Sequence, residues 1–298
     1  MTVESLGVPL AVRDFGGSGD SVVLLHGLGR TLVDWSVIAP MLRAHFRTVA
    51  FDIRGHGQSG NGPWSWDGAL ADVEAVATEL KLRTPSLVGH SLGGMLAVMW
   101  GKSHPGKPVV NIDGHGRRRL AQYEGINEGD ARRRIAEADD RVKASLTALS
   151  GPLSPAVIEG LLAQQRMLAS KFGAPEEMFV QSVERMLSRG DNGAFLRPSP
   201  VGLGAEILAS AESFDMFRLY AEMEGPVLVI TGTDSDPGAD PELMAAYRRG
   251  LTRDLERVAS EDDKVRVEFR RGGHGLLFED PEGIAAGINR FLTENRPG

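Results

Sequence analysis

Short apolar runs that alternate with longer amphipathic stretches are the feature that most constrains how this chain can fold. All but the last of these runs are near-continuous, which is typical of central strands covered on both faces. Strands that alternate with helices predict an α/β fold with a mostly parallel central sheet flanked by helices. An alternating stretch at residues 8–14 fits an antiparallel edge. The six runs are residues 22–25, 48–51, 86–88, 109–112, 227–230 and 265–269.

The stretch from about residue 116 to residue 225 interrupts this rhythm. It holds no convincing strand, and its periodicity predicts helices at residues 130–149, 154–171 and 175–187. We interpret it as a helical cap inserted into a single core. The predicted boundaries are residues 116–204 for the cap and residues 1–115 and 205–298 for the core.

Composition limits the classes of partner. The net charge of −7 gives no general attraction to nucleic acid or to an anionic membrane surface, and the absence of cysteine excludes disulfides. We find no secretory signal pattern and no apolar run near the roughly 20 residues that span a bilayer. A cytoplasmic protein that acts on a small-molecule substrate is therefore expected, in an oligomeric state that the sequence leaves open.

A candidate nucleophile lies in residues 89–94, Gly-His-Ser-Leu-Gly-Gly. The segment follows a predicted strand and precedes a predicted helix, which is the setting of the G-x-S-x-G nucleophile elbow. Such a turn exposes a serine hydroxyl, and the glycines two residues on either side allow the backbone to approach closely. We predict that Ser91 is a catalytic nucleophile.

A serine hydroxyl needs a base, and in this motif's fold the acid and then the histidine follow the serine in the chain. Only His274 follows His115, and it lies in a glycine-rich loop before the last predicted helix. We predict that His274 is the base. For the acid that orients it we favour Asp236, with Asp234 and Asp113 as alternatives, since all three follow predicted strands.

An oxyanion hole would complete the site. Residues 26–29, His-Gly-Leu-Gly, follow the first buried strand, where a backbone N–H can point toward the elbow. The predicted donors are the backbone amides of Leu28 and Leu92.

Together these segments resemble the α/β-hydrolase superfamily, as does the sequence Asp-Ile-Arg-Gly-His-Gly-Gln-Ser at residues 52–59. The resemblance implies a cofactor-free hydrolase with no metal, a variable lid and an acyl-serine intermediate. It also implies that Arg54 and His56 belong to the scaffold. Relatives commonly place the acid where this chain has Ser235, so Asp236 fits with one inserted residue. Relatives that open epoxides or displace halide have aspartate at the position of Ser91, so those reactions are disfavoured.

The expected substrate is a small to medium, largely apolar ester, thioester or lactone. Two other interpretations stay open: carbon–carbon bond hydrolysis or perhydrolysis on the same triad, and a non-catalytic receptor for a small ligand. Two arginine runs, residues 117–119 and 132–134, are interpreted as solvated helix faces, with recognition of a substrate carboxylate as the alternative. Cap residues that could face the site are Leu161, Leu162, Met167, Leu168, Met178, Phe179 and Met186.

Overall fold

The structure is a computed structural model that describes residues 1–235 and 239–296. Eight of its strands form one sheet, in the order β1-β2-β4-β3-β5-β6-β9-β10, and β7 and β8 form a separate hairpin. The first two pairings, β1 with β2 and β2 with β4, are antiparallel, and the other five are parallel. The strands are β1 (Thr2–Ser5), β2 (Val8–Gly16), β3 (Ser21–Leu25), β4 (Arg47–Phe51), β5 (Ser86–His90), β6 (Val109–Ile112), β7 (Leu187–Gly190), β8 (Gly193–Leu196), β9 (Val227–Gly232) and β10 (Val265–Arg270).

Helices cover both faces of the sheet. Val23, Leu25 and Leu87 belong to one buried cluster, whereas Val22 and Leu24 belong to a second on the opposite face. This confirms the prediction that near-continuous apolar runs are central strands with two buried faces. The helices are α1 (Ile38–Leu42), α2 (Trp66–Glu79), α3 (Leu92–Ser103), α4 (Glu128–Ala148), α5 (Pro155–Phe172), α6 (Glu176–Met186), α7 (Leu203–Glu212), α8 (Met216–Ala221), α9 (Pro241–Glu261), α10 (Leu276–Glu279) and α11 (Pro281–Glu294).

The segment between β6 and β9 is mainly helical. It contains α4, α5 and α6 close to the predicted ranges, then the β7–β8 hairpin and the shorter helices α7 and α8. The hairpin corrects the expectation that this segment holds no strand. Each of its strands has only four residues, and few of their side chains are buried, so the apolar periodicity of a strand is too weak to recognise.

Arginine side chains tie this segment to the rest of the chain. The Arg185 Nε on α6 donates to the buried carboxylate of Asp52 at 2.7 Å. The Arg197 guanidinium donates to the carbonyl oxygens of Gly57 and Ser59. On the other side, Arg134 of α4 pairs with Asp240 at the start of α9. These contacts connect α4, α6 and the residues after β8 to the loop after β4 and to the start of α9. No helix in the described ranges is long and apolar enough to cross a membrane.

A buried ion pair fixes the loop that follows β4. The Arg54 guanidinium makes two hydrogen bonds to the Asp72 carboxylate of α2, at 2.7 and 2.8 Å, and also donates to the carbonyl oxygen of Gly68. The side chains of Arg54 and Asp72 are 3% and 1% exposed. Such a pair contributes little over a well-packed apolar pair, but removing one partner leaves a buried charge uncompensated.

We expect Asp72→Asn to lower the free energy of unfolding by about 3–5 kcal/mol, because Arg54 stays buried without its counter-ion. Urea unfolding monitored by circular dichroism measures the change. The matched control is Asp14→Asn, which breaks the partly exposed Arg47–Asp14 pair and should cost less than about 1 kcal/mol. Equal losses in the two variants would contradict the assignment of Arg54–Asp72 as a scaffold pair.

Candidate active site

The turn between β5 and α3 carries Ser91 at the edge of the sheet. Ser91 has a φ of +53° and ψ of −116°, a region that L-residues rarely adopt. It is the N-cap residue of α3, yet its side chain makes no capping hydrogen bond. The hydroxyl is therefore not committed to the helix end, and strain of this kind is typical of functional turns.

Two glycines make this turn possible, because neighbouring backbone occupies the space that a side chain would need. A Cβ on Gly89 would lie 2.0 Å from the Gly93 carbonyl group, and a Cβ on Gly93 would lie 2.2 Å from the carbonyl oxygen of Leu25. The first residues of α3 thus pack directly against β3 and β5. The sequence prediction of an elbow required this close approach.

We expect Gly93→Ala to destabilise the protein by more than about 2 kcal/mol, since the added methyl group meets rigid backbone of β3. Gly160→Ala is the matched control, because Gly160 is exposed on α5 and a Cβ added there would meet no atom within 4 Å. That control should stabilise the protein by about 0.5–1 kcal/mol through helix propensity. Thermal and urea unfolding of both variants measure the sign of the change in the free energy of unfolding. An unchanged free energy of unfolding in Gly93→Ala would contradict the close packing.

His274 lies within hydrogen-bonding distance of Ser91. Its Nε2 is 3.1 Å from the Ser91 Oγ, and its Nδ1 is 2.7 Å from the Asp113 Oδ2. If Nδ1–H donates to the carboxylate, Nε2 is left to accept the serine proton. The structure therefore brings together Ser91, His274 and one of the aspartates that the sequence left as alternatives.

Of the other two candidate aspartates, Asp234 lies within the described residues, and it does not take this place. Asp234 is exposed, and its side chain contacts Thr233 and Arg271. Asp236, the residue favoured from the sequence, lies outside the described residues. Asp113 follows β6, the neighbour of the β5 strand that ends at the elbow, whereas Asp234 and Asp236 follow β9.

The Asp113 carboxylate is buried and accepts hydrogen bonds from several elements. Its Oδ1 accepts from the Thr231 hydroxyl at 2.8 Å and from the Arg248 Nη1 at 2.9 Å, and the His115 Nε2 lies 3.0 Å away. Burial acts to raise the pKa of Asp113, but His115, His274 and Arg248 outweigh it and hold that pKa well below its ordinary value. The group is thus an anion at neutral pH.

Arg248, which was not among the candidates from the sequence, is almost fully buried on α9 and pairs with both oxygens of Asp113. A signal was present in the helical pattern. Residue 248 falls in the same stripe as Met244, Leu251 and Leu255, at spacings of four, three and four. An arginine in an apolar stripe indicates a buried acidic partner, since an unpaired buried guanidinium is too costly.

His90 connects the elbow to the histidine loop. Its Nε2 lies 2.9 Å from the carbonyl oxygen of His274, which can only accept, and the two rings are 4.9 Å apart. Burial lowers the pKa of His90 to about 4, so the ring is neutral and carries its proton on Nε2. This contact positions the His274 backbone beside the strand that presents Ser91.

A second buried histidine shapes the turn after β3. The backbone N–H of Ile53 donates to the His26 Nε2 at 2.9 Å, so the proton lies on Nδ1, which donates to the carbonyl oxygen of Gly27 at 2.8 Å. Burial lowers the pKa of His26 to about 4, which keeps this neutral tautomer. His26 therefore fixes the turn that carries Leu28, one of the two predicted oxyanion donors.

A cavity of about 580 Å³ opens over these groups. Leu28, Ser91, Leu92, Asp113 and His274 all line it, so the predicted oxyanion donors share the cavity with the candidate nucleophile and base. Most of the remaining wall is apolar and comes from the segment between β6 and β9, including Val142, Leu146, Leu149, Leu161, Val183, Met186, Leu196, Ile207 and Leu208.

The cap residues expected to face the site divide into two groups. Leu161 and Met186 line this cavity, and Leu168 and Phe179 line a neighbouring one of about 260 Å³ that also reaches Ser91 and His274. The others do not line either cavity: Met178 is buried in the core, Leu162 packs beside a small buried cluster, and Met167 is 66% exposed.

The arginines of the two runs, residues 117–119 and 132–134, do not all have the same surroundings. Arg132 and Arg133 are exposed and pair with acids of their own helix, as expected of a solvated face. Arg118 instead lines the cavity, together with Tyr247 and Glu212.

Comparison with known proteins bears on the family and the fold. Residues 22–287 match the sequence model of the alpha/beta hydrolase family. A serine hydrolase-like protein of Dictyostelium discoideum is 23% identical over 97% of this chain and 80% of its own length. N-formylmaleamate deformylase of Pseudomonas putida is 34% identical over 99 residues, which is 32% of this chain and only 37% of the deformylase.

Solved structures of low sequence identity share the fold. E-2-(acetamidomethylene)succinate hydrolase superposes with a TM-score of 0.71 and 22% identity over 98% of both chains. The enol-lactonase of Burkholderia xenovorans superposes with a TM-score of 0.62 and 20% identity, over 98% of this chain and all of the lactonase.

Proposed function

This chain belongs to the alpha/beta hydrolase family, and we propose that it is a serine hydrolase that cleaves a small to medium, largely apolar ester, thioester or lactone. The observation that carries the proposal is the contact of the Ser91 Oγ with the His274 Nε2 at 3.1 Å, inside a mostly apolar cavity. A hydroxyl next to a base with an open acyl-sized space in front of it is the arrangement that nucleophilic acyl transfer needs.

In the proposed reaction, His274 Nε2 takes the proton of Ser91 as Oγ attacks the carbonyl carbon. The imidazolium that forms keeps its Nδ1–H on the ionised Asp113, which stabilises the positive charge. Nε2 then returns the proton to the leaving oxygen or sulfur, and an acyl-Ser91 ester remains. Water, deprotonated by the same nitrogen, hydrolyses this ester and regenerates the hydroxyl.

The oxyanion of each tetrahedral intermediate is assigned to the backbone N–H groups of Leu28 and Leu92. Leu92 is the first residue of α3, whose first N–H groups have no acceptor within the helix. Leu28 lies in the turn that His26 fixes. The positive end of the α3 dipole adds to their effect, because negative charge develops next to the helix N-terminus.

We further propose that residues 116–204 form a cap over a core of residues 1–115 and 205–298. Support comes from the apolar side chains of this segment in the cavity wall and from its ties to the core through Arg185 and Arg197. A cap of this kind excludes water from the site and selects substrates by shape.

Labelling with a fluorophosphonate probe tests the nucleophile. Folded wild-type protein should react at Ser91, since the base at 3.1 Å activates that hydroxyl. Ser91→Ala should abolish labelling, and His274→Ala should slow it by about 100- to 10,000-fold. Peptide mass spectrometry and gel fluorescence measure site and rate.

The matched control for this experiment is Ser213→Ala, which removes an exposed hydroxyl bonded to the carbonyl oxygen of Ser210 and should leave labelling intact. Folded wild-type protein that stays unlabelled would refute the hydrolase and favour the alternative of a small-ligand receptor.

The role of the acid is assigned to Asp113, because its Oδ2 lies 2.7 Å from the His274 Nδ1. We expect Asp113→Asn to lower kcat on 4-nitrophenyl butyrate by roughly 1,000-fold or more, since an amide no longer holds the productive tautomer or balances the imidazolium. Asp234→Asn is the matched control and should change kcat little.

The same assay on Asp236→Asn decides between the two assignments of the acid. A larger loss in Asp236→Asn than in Asp113→Asn would move the assignment to the loop after β9. Because Asp113→Asn removes a buried carboxylate that pairs with Arg248, the double variant Asp113→Asn/Arg248→Met keeps the test valid if the single variant unfolds.

Amide cleavage is the second candidate, favoured by the similarity to N-formylmaleamate deformylase. It uses the same acyl-serine route, with the nitrogen of the leaving group protonated by His274. Comparing kcat/KM for an ester and an amide of the same acyl group distinguishes the two activities.

A further inference from the structure

We propose that the guanidinium of Arg118 binds a carboxylate on the substrate, so that the acyl or leaving group carries a negative charge at a distance from the reacting carbonyl. The inference rests on the proposed function for its catalytic meaning, and it narrows that function to anionic esters, thioesters or lactones. For Arg118, the proposal replaces the interpretation of residues 117–119 as a solvated helix face with the alternative of carboxylate recognition.

The guanidinium of Arg118 lies where a substrate in the cavity can reach it. Arg118 is exposed, and it lines the same cavity as Ser91 and His274. The guanidinium carbon lies 5.4 Å from the ring centroid of Tyr247, which is itself part of the cavity wall. Stacking on an aromatic ring orients the planar fork without using its N–H donors.

The backbone on either side of Arg118 is fixed, which gives a preorganised donor. The N–H of Arg117 donates to the carbonyl oxygen of Phe214 at 2.8 Å, and Gly116 forms a bridge with Asp215. On the other side, the N–H of Arg119 donates to the side chain of Gln122 at 2.9 Å. A donor held in this way loses less entropy on binding than a free surface arginine.

Arg118 also differs from the nearby arginines in the partners of its charge. The neighbouring Arg119 pairs with Asp215. Two other arginines line the cavity: Arg248 pairs with Asp113, and Arg197 donates to the carbonyl oxygens of Gly57 and Ser59. Within residues 1–235 and 239–296, no carboxylate reaches ion-pair distance of Arg118, whose near neighbours are the phenols of Tyr123 and Tyr247. A cavity-lining guanidinium that makes no direct ion pair favours an anionic ligand.

Glu212 is the acid that competes for this cation. It lines the cavity and interacts electrostatically with Arg118, and burial, together with Asp139, raises its pKa. In its ionised form Glu212 attracts Arg118 and repels a substrate anion in the same cavity. Removing its charge should therefore improve the binding of a substrate anion.

The test compares two substrates that differ in one charge, 4-nitrophenyl hydrogen glutarate and its neutral methyl ester. We expect Arg118→Met to lower the ratio of kcat/KM for the charged over the neutral substrate by roughly 10- to 100-fold. Arg118→Lys should retain part of the ratio, and Glu212→Gln should raise it. The matched control Arg117→Met removes an exposed arginine of the same run and should leave the ratio unchanged.

Direct binding separates this inference from the hydrolase proposal, because it needs no turnover. Isothermal titration calorimetry on Ser91→Ala should show monomethyl glutarate binding more tightly than dimethyl glutarate, and Ser91→Ala/Arg118→Met should lose that preference. A folded Arg118→Met with an unchanged ratio, or equal binding of both glutarates to Ser91→Ala, would overturn the carboxylate site.

Discussion

The structure depends on a buried negative charge at the carboxyl edge of the sheet. The Asp113 carboxylate receives donors from β9 through Thr231, from α9 through Arg248, and from the last loop through His274. Each donor offsets part of the desolvation cost of the anion, and together they hold three separate parts of the chain in register. The same set of contacts fixes the ring of His274 in front of Ser91. The contacts of Asp113 therefore both stabilise the fold and position the imidazole of His274.

Much of this arrangement could be predicted from the sequence. The central strands follow from near-continuous apolar runs, and the elbow follows from a serine flanked by glycines between a strand and a helix. Ser91 and His274 could be paired because only one histidine follows His115. The strands and the elbow turn could be predicted because local patterns of burial and backbone crowding determine them, whereas the pairing of Ser91 with His274 rests on the order of these residues in the chain.

The choice among the aspartates could not be made in the same way. Asp113 and Asp234 both follow a buried strand, and chain position alone does not say which strand end lies under the imidazole. That depends on the spatial order of β5, β6 and β9, and on Arg248, which reaches Asp113 from 135 residues away. Likewise, the two arginine runs look alike in sequence, and only the fold separates a residue in the cavity wall from one on a solvated helix.

The contacts that tie the segment between β6 and β9 to the rest of the chain are unevenly distributed. Arg185 and Arg197 hold one side and Arg134 the other, whereas α5 buries only Ala169 and packs mainly on α6. Displacing α5 thus disrupts fewer interactions than lifting the whole segment. We therefore expect a ligand to enter and leave the cavity through displacement of α5, so that its residence time depends on the contacts of this helix.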